Sequence, residues 1–273
     1  MPEGHSIHRL ARAHGRWLVG RAFRADAPRG GLPAEALLGV SGRALLSAGA
    51  HGKHLFLRFE GGARLHLHLG LLGRIRHFRA GAPPPSASCQ LRLASPHATL
   101  HVLGAPVVEV LDAAGEAAVR ARLGVDPLHP VASPARAHAL LRAAPGPLAA
   151  ALLEQGRLAG VGNILRAEAL HLAGLPPLLP ARALGGPDFS RLWEALRTLM
   201  VDAARDGRIL SPGAPPPPRT EPGRRREDRY RVYGRAGQAC PRCGTAVEKR
   251  ALAGRALYLC PGCQGAGPSS QQA

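Results

Sequence analysis

Residues 240–263 read CPRCGTAVEKRALAGRALYLCPGC. Cys240 and Cys243 form one CxxC pair, Cys260 and Cys263 a second, with residues 244–259 between them. In a reducing compartment such pairs are metal sites more often than cystines. Four thiolates at this spacing can meet Zn²⁺ tetrahedrally, with two disulfides or an iron–sulfur site as the alternatives. The intervening TAVEKRALAGRALYL reads as two short strands about an Ala253–Gly254 turn, so a zinc ribbon is expected. A zinc with all four positions filled by protein holds a hairpin and does no chemistry. Lys249, Arg250 and Arg255 lie on or beside that hairpin, where they can be presented to a phosphate backbone or simply solvate a strand face. Cys89, the fifth cysteine, reads as a small buried apolar residue.

Upstream, residues 156–170, GRLAGVGNILRAEAL, place Gly160 and Gly162 before Asn163, which is expected at a helix N-cap. The free N–H groups and dipole of such a helix start attract phosphate, although most Gly-x-Gly-Asn turns only begin a helix. No strand precedes this turn and Leu165 occupies the sixth position, so it is not a dinucleotide fingerprint. Helical periodicity is expected over 148–155, 164–173 and 189–204, the last with Leu192, Leu196, Leu199 and Met200 on one face. Residues 126–147 are punctuated by five prolines and read as a hinge with a short helix over 135–142. Residues 211–228, SPGAPPPPRTEPGRRRED, read as a flexible basic loop because proline removes donors and the arginines repel one another.

From about residue 40 to 111 the period changes to two. Leu65, Leu67 and Leu69 alternate with Arg64, His66 and His68, and Leu55, Leu57 and Phe59 precede them at the same period. Further short strands are expected over 89–93, 99–103 and 107–111, giving an antiparallel sandwich. His66 and His68 are expected on a solvated strand face rather than at a second metal. Ile7, Leu10, Ala11, His14 and Leu18 fall at helical spacing, so a helix opens the chain.

The 273 residues carry 36 Lys plus Arg against 18 Asp plus Glu, a net charge of +18 and a pI of about 11.4. That balance favours a polyanionic partner, nucleic acid first, over a basic surface kept for solubility. The N-terminus MPEGHSIHRLARAHGR has no continuous apolar stretch and no later segment approaches a membrane span. A soluble cytoplasmic protein, a monomer associated with the nucleoid through DNA and without a membrane partner, is expected. Removal of Met1 before the small Pro2 exposes a secondary amine whose pKa, near that of α-amino groups, leaves much of it nucleophilic at neutral pH. Pro2 could then attack a sugar C1′, with Glu3 protonating the ring oxygen.

Taken in order, MPEG at the start, HGK at 51–53, HLGL at 68–71, GVGNI at 160–164 and the ribbon resemble the formamidopyrimidine-DNA glycosylase and endonuclease VIII family, with an opening closer to the endonuclease VIII branch. The resemblance implies a mixed α+β chain in four parts. These are an N-terminal catalytic β-sandwich domain with its helix (1–126), a hinge and helix-two-turn-helix domain with the basic loop (127–227), a zinc-ribbon finger (228–265) and a disordered tail (266–273). It implies a bifunctional glycosylase and AP lyase acting on double-stranded DNA with oxidised bases, pyrimidines preferred, or abasic sites, through a Schiff base and β,δ-elimination. A catalytically silent DNA-binding relative is the alternative. Pro2 is then the nucleophile, Glu3 the proton donor, and Lys53 a phosphate contact that assists β-elimination. Leu71 is the wedge that fills the gap left by a flipped base, Asn163 a phosphate ligand, and Glu168 a carboxylate at the DNA site that orders the N-terminal amine. Arg255 is the hairpin arginine for phosphate binding and δ-elimination, and Cys240, Cys243, Cys260 and Cys263 hold one structural zinc. Ser6 stands where many relatives have a second glutamate, and no Arg-x-Phe loop is recognisable between Cys89 and Leu111.

Overall fold

The computed structural model describes residues 2–79, 81–214 and 229–265. Two compact units divide at Arg122/Leu123. The expected boundary lay four residues later. Gly124 and Val125 donate to the carbonyls of Gln155 and Arg157, which assigns 123–126 to the second unit.

The first unit opens with α1 (Gly4–Trp17), which buries Ile7, Ala11 and His14 along one stripe and carries His14 and Arg16 at its C-terminal end, where cations suit the helix dipole. A strand the periodicity did not announce, β1 (Ala22–Asp26), comes next. After the short α2 (Ala34–Leu38) come β2 (Arg43–His51), β3 (His54–Phe59), β4 (Arg64–His68), β5 (Arg74–Phe78), β6 (Cys89–Ala94), β7 (Thr99–Leu103) and β8 (Val107–Leu111). They form one antiparallel ladder in the order β5-β7-β6-β1-β2-β3-β4-β8. Only the pairs Ala22↔Ala44 and Phe23↔Arg43 join β1 to β2, so the ladder is two halves with a thin seam. Their apolar faces share one core: Leu55, Leu57, Leu65 and Leu67 from one half, Leu91, Leu93, Leu100 and Val102 from the other, with Ile7 and Ala11 of α1. Cys89 is fully buried, its thiol donating to the Leu91 carbonyl, as its surroundings in sequence suggested.

The opposite face of β3–β4 is not left to water. The helix α3 (Ala113–Ala121), capped by Asp112 Oδ1 accepting from Gly115 N at 2.7 Å, brings Glu116 over it. Glu116 is 1% exposed and receives Arg58, Arg64 and Arg120, each at 2.7 Å. Arg120 also lies 4.4 Å above the Phe56 ring. Burial opposes the Glu116 charge, but the bonds from Arg58, Arg64 and Arg120 outweigh it and hold the carboxyl down at about 2.

The second unit is helical: α4 (Pro134–Arg142), α5 (Leu148–Ala151), α6 (Asn163–Ala173) and α7 (Gly186–Asp206). Ser133 caps α4 through Arg136 N, and Leu192, Leu196, Leu199 and Met200 are buried as their spacing predicts. The helix expected over 148–155 stops at Ala151. Gln155 is the reason: its amide donates to the carbonyls of Leu153 and Val161 and accepts from Gly160 N, drawing the chain into a turn before α6. The hairpin of β9 (Glu248–Leu252) and β10 (Arg255–Leu259) closes through Ala253 at φ 48° and Gly254 at φ 70°, the paired positive-φ turn that strand twist favours, and the short α8 (Pro261–Gln264) ends the unit. Most of the expected basic loop, 215–228, and the expected disordered tail, 266–273, lie outside the described residues.

The Glu116 cluster sets the acid response of the first unit. A carboxyl depressed in the folded state contributes stability above its unfolded pKa, and that contribution is lost as the pH falls through the folded value. Glu116→Gln should cost about 3 kcal/mol at pH 7 by leaving three arginines without a counter-charge. In denaturant titrations the gap between wild type and variant should be full above pH 4.5 and close as the pH approaches 2.

Candidate functional site

The chain start is built by α1. Glu3 is the N-cap of that helix, in extended conformation, and its side chain is wholly buried. Pro2 precedes it, half-buried, at the positive end of the helix dipole. Behind it His5 is 4% exposed, pushed down to about 4 by burial, and bonded to Ser6 Oγ at 3.1 Å. Ser6 thus serves its histidine neighbour in place of a second carboxylate.

Lys53 sits in the tight Gly52–Lys53 turn between β2 and β3, with Gly52 at φ 56°. His54 pairs with His68 across β3–β4, so the turn after β4 leaves the same end of this strand pair as Lys53 does. In that second turn Gly73 N donates to Leu69 O, and Leu71 and Leu72 stand 62% and 78% exposed. A Cβ at Gly73 would collide with the Leu69 carbonyl, and one at Gly70 would lie 2.7 Å from Pro106, so the turn tolerates no side chain at either position.

The histidines of this sheet correct the sequence reading. His66 is not solvated: it is 3% exposed, its Nδ1 lies 2.8 Å from Glu109 Oε1 and its Nε2 2.8 Å from His54 Nδ1. A carboxylate distant in sequence covers it: β8 places Glu109 opposite His66, forty-three residues on. His68 is half-buried beside His54, ring centroids 4.8 Å apart, and burial followed by the Lys53 charge lowers its pKa.

In the second unit the residue before α6, Gly162, takes the N-cap conformation, and Asn163 is the first helical residue. Instead of capping, Asn163 Nδ2 donates to the Ala256 carbonyl of β10 at 3.0 Å, while its buried Oδ1 has no hydrogen-bond partner among the described residues. Arg166, wholly buried and not foreseen, donates to the same carbonyl at 2.8 Å. The peptide held in this way follows Arg255, so the start of α6 and the exposed Arg255 are brought to one place. Lys249 is also exposed, whereas Arg250 is paired with Glu248 at 2.7 Å.

Glu168 has a different environment from the one expected. It is fully buried, and its oxygens accept from Ser211 Oγ and from the N–H groups of Arg231, Val232 and Tyr233. A carboxylate offers about four acceptor sites. All are used in tying the 211 and 231–233 segments to α6.

The four cysteines converge. Cys240 and Cys263 sulfurs are 3.8 Å apart, Cys243 and Cys260 sulfurs 3.4 Å. Four sulfurs at about 2.3 Å from a tetrahedral zinc are spaced by about 3.8 Å, so this donor set fits the ion. A fifth group was missed: His171 of α6, fully buried, has Nε2 3.3 Å from Cys240 Sγ and within 4.8 Å of three of the sulfurs. With four thiolates holding the ion, His171 would be left to act as an N–H donor to the Cys240 sulfur.

Family models match three stretches: the formamidopyrimidine-DNA glycosylase N-terminal domain over 1–104, its H2TH domain over 123–212, and the zinc finger found in FPG and IleRS over 237–265. Endonuclease 8 1 of Mycobacterium tuberculosis H37Rv is 35% identical over 278 residues, covering 97% of this chain and all of the relative. The chain belongs to the formamidopyrimidine-DNA glycosylase and endonuclease VIII family. Within it the chain stands on the endonuclease VIII side and is a DNA glycosylase with AP lyase activity. The formamidopyrimidine-DNA glycosylase of Thermus thermophilus is 36% identical over 235 residues, 84% of this chain and 85% of the relative. A crystal structure of that organism's MutM protein superposes with a TM-score of 0.78 at 31% identity, covering 98% of this chain and all of that one. A Lactococcus lactis Fpg complex with abasic DNA shares the fold, with a TM-score of 0.80 at 22% identity over 97% of this chain and all of that one.

Donors to metal-bound ligands commonly govern metal retention by about 10- to 100-fold. His171→Ala should therefore release zinc to a chromogenic chelator at least about tenfold faster than wild type. Unchanged release would deny the N–H···S contact a role.

Proposed function

We propose that this glycosylase removes oxidised pyrimidines from double-stranded DNA through a Schiff base on Pro2 and then cuts the strand by β,δ-elimination. The observation that carries the reading is the chain start, where Pro2 directly precedes a helix whose N-cap is the fully buried Glu3. The amine adds to deoxyribose C1′ as Glu3 protonates the ring oxygen, and the C1′–N bond to the damaged base breaks. Loss of the C2′ proton then forms the C2′=C3′ bond as the 3′ phosphate leaves with its electron pair. Lys53 stabilises that phosphate and Arg255 the 5′ phosphate lost in δ-elimination. Asn163 contacts backbone phosphate through the start of α6. Leu71 fills the space vacated by the flipped base. Glu168 serves DNA only by holding the segments around it. One zinc per chain, bound by Cys240, Cys243, Cys260 and Cys263, fixes the hairpin that carries Arg255. The working form is a cytoplasmic monomer on DNA. Among the described residues no helix is long and apolar enough to cross a membrane.

Borohydride should trap the mature protein, beginning at Pro2, on abasic DNA, because only an imine reduces to a stable amine. Pro2→Gly should retain part of this trapping, and an uncleaved N-terminal extension should abolish it. Equal trapping by the extended form would rule Pro2 out.

Ring-saturated pyrimidines stack poorly, which lowers a flipping penalty of a few kcal/mol. Single-turnover release of thymine glycol or dihydrouracil should therefore outpace that of 8-oxoguanine, with little dependence on the opposite base. Faster excision of 8-oxoguanine selectively opposite cytosine would reverse the assigned preference.

A further inference from the structure

The second face of β3–β4 carries a hydrogen-bonded line that base recognition and phosphate binding leave unused. Glu109 Oε1 lies 2.8 Å from His66 Nδ1, and His66 Nε2 lies 2.8 Å from His54 Nδ1. One end is open to water, since the Glu109 side chain is 45% exposed. The middle is closed, with His66 only 3% exposed and stacked on Phe56 at 4.8 Å. The other end adjoins Lys53: His54 is its neighbour in the chain, His54 pairs with His68 in register, and the Lys53 charge is felt at His68.

The carboxylate fixes the tautomers along this line. Glu109 can only accept, so His66 carries its proton on Nδ1 and leaves Nε2 as an acceptor. His54 must then donate from Nδ1, which leaves its Nε2 as a lone pair at the lysine end. We propose that His54, His66 and Glu109 form a proton relay that carries the C2′ proton released during elimination away to solvent. This rests on the lyase reading above. The C–H electron pair becomes the C2′=C3′ bond, the C3′–O bond breaks, and phosphate leaves with its pair. The proton reaches His54 Nε2 through water. The Nδ1 proton of His54 passes to His66 Nε2, and that of His66 Nδ1 to Glu109, which gives it to bulk water. Both imidazoles end neutral in the opposite tautomer, and the reverse passage of a proton, needed by the leaving groups, restores them.

Two observations separate this from core filling. Apolar side chains would fill the same face without the desolvation that buried imidazoles suffer. The surroundings also disfavour a charge on His54. His51 from β2, His68 from β4 and Arg122 just after α3 act on His54, Lys53 in the turn acts on His68, and Arg120 lies over Phe56, on which His66 stacks, with Glu116 already committed to Arg58, Arg64 and Arg120. His54 is held down at about 3, by burial first and then by His68, His66, His51 and Arg122. A group that cannot keep a proton but is bonded on into a chain passes it along.

Glu109→Gln preserves an acceptor oxygen for His66 and removes the proton acceptor at the solvent end. The full-length protein on duplex DNA with one abasic site gives two rates: borohydride trapping for imine formation and single-turnover strand cleavage for elimination. Glu109→Gln should slow cleavage by about tenfold or more at pH 7 and alter its pH profile, with trapping close to wild type. Glu109→Asp should restore much of the cleavage rate. Wild-type cleavage and pH profile in Glu109→Gln would overturn the relay, as would an equal fall in trapping and cleavage, the mark of a structural role. Absence of trapping in the wild type would instead strike the Pro2 reading.

Discussion

A strand pair covered on both faces must find partners for every polar side chain on its inner positions, and β3–β4 is such a pair. One face is leucine: Leu55, Leu57, Leu65 and Leu67 enter the shared core. The other carries His54, Phe56, Arg58, Arg64, His66 and His68, residues that alone would keep the sheet wet. They are paired because α3 and β8 each bring one carboxylate, Glu116 for the arginines, of which Arg58 stays exposed, and Glu109 for His66. An unpaired charge in that position would be strongly destabilising. Polar pairing on this face therefore decides where α3 lies, over the strand pair whose register brings Lys53 and the Leu71 turn to one end.

In the second unit one carbonyl has a comparable part. Ala256 O takes bonds from Asn163 and Arg166, so a helix start and a strand separated by ninety residues share an acceptor. Glu168, two residues beyond Arg166 on another face of the helix, gathers three backbone N–H groups of 231–233, and His171, three residues further on, touches Cys240. Asn163 at the start, then Arg166, Glu168 and His171, make α6 the bolt on which the metal module is mounted. The helix looked like a phosphate-binding start in sequence because only its first turn carried a familiar signal.

Local pattern accounts for what the sequence disclosed. The strands of period two, the long amphipathic helix, the cysteine ribbon and the Ala253–Gly254 turn are all set by neighbours within a few residues, and each is found at or near its expected place. What stayed hidden depends on pairing across the chain. Glu109 and His66 are adjacent only through the β4–β8 register, so His66 read as a solvated residue. Gln155 ends α5 through side-chain bonds that helical propensity does not contain. Arg166 was passed over because a cation within an apolar helix reads as exposed until its acceptors are known. The candidate residues Pro2 and Glu3 and the cysteines stood out because their chemistry is local; the environment of Glu168 did not, because its partners lie 43 to 65 residues away.

The Leu71 turn shows how such constraints bear on recognition. Large exposed apolar side chains side by side carry meaning only when something else covers them. Here Leu71 and Leu72 project from a turn closed by the Leu69–Gly73 bond, with Gly70 against Pro106 and Gly73 against a carbonyl, so their backbone has little freedom left to lose. A wedge that enters a base stack must offset the unstacking with contacts made only when inserted. Ordering a loose loop at that moment would consume part of the gain, whereas a loop already ordered keeps it. With the glycines holding the leucines out in this way, Leu71 in its proposed role as wedge would act alike on any base that leaves the helix easily. On that proposal discrimination among lesions would fall to how readily each base unstacks, which is the property in which a saturated pyrimidine differs most from a flat purine.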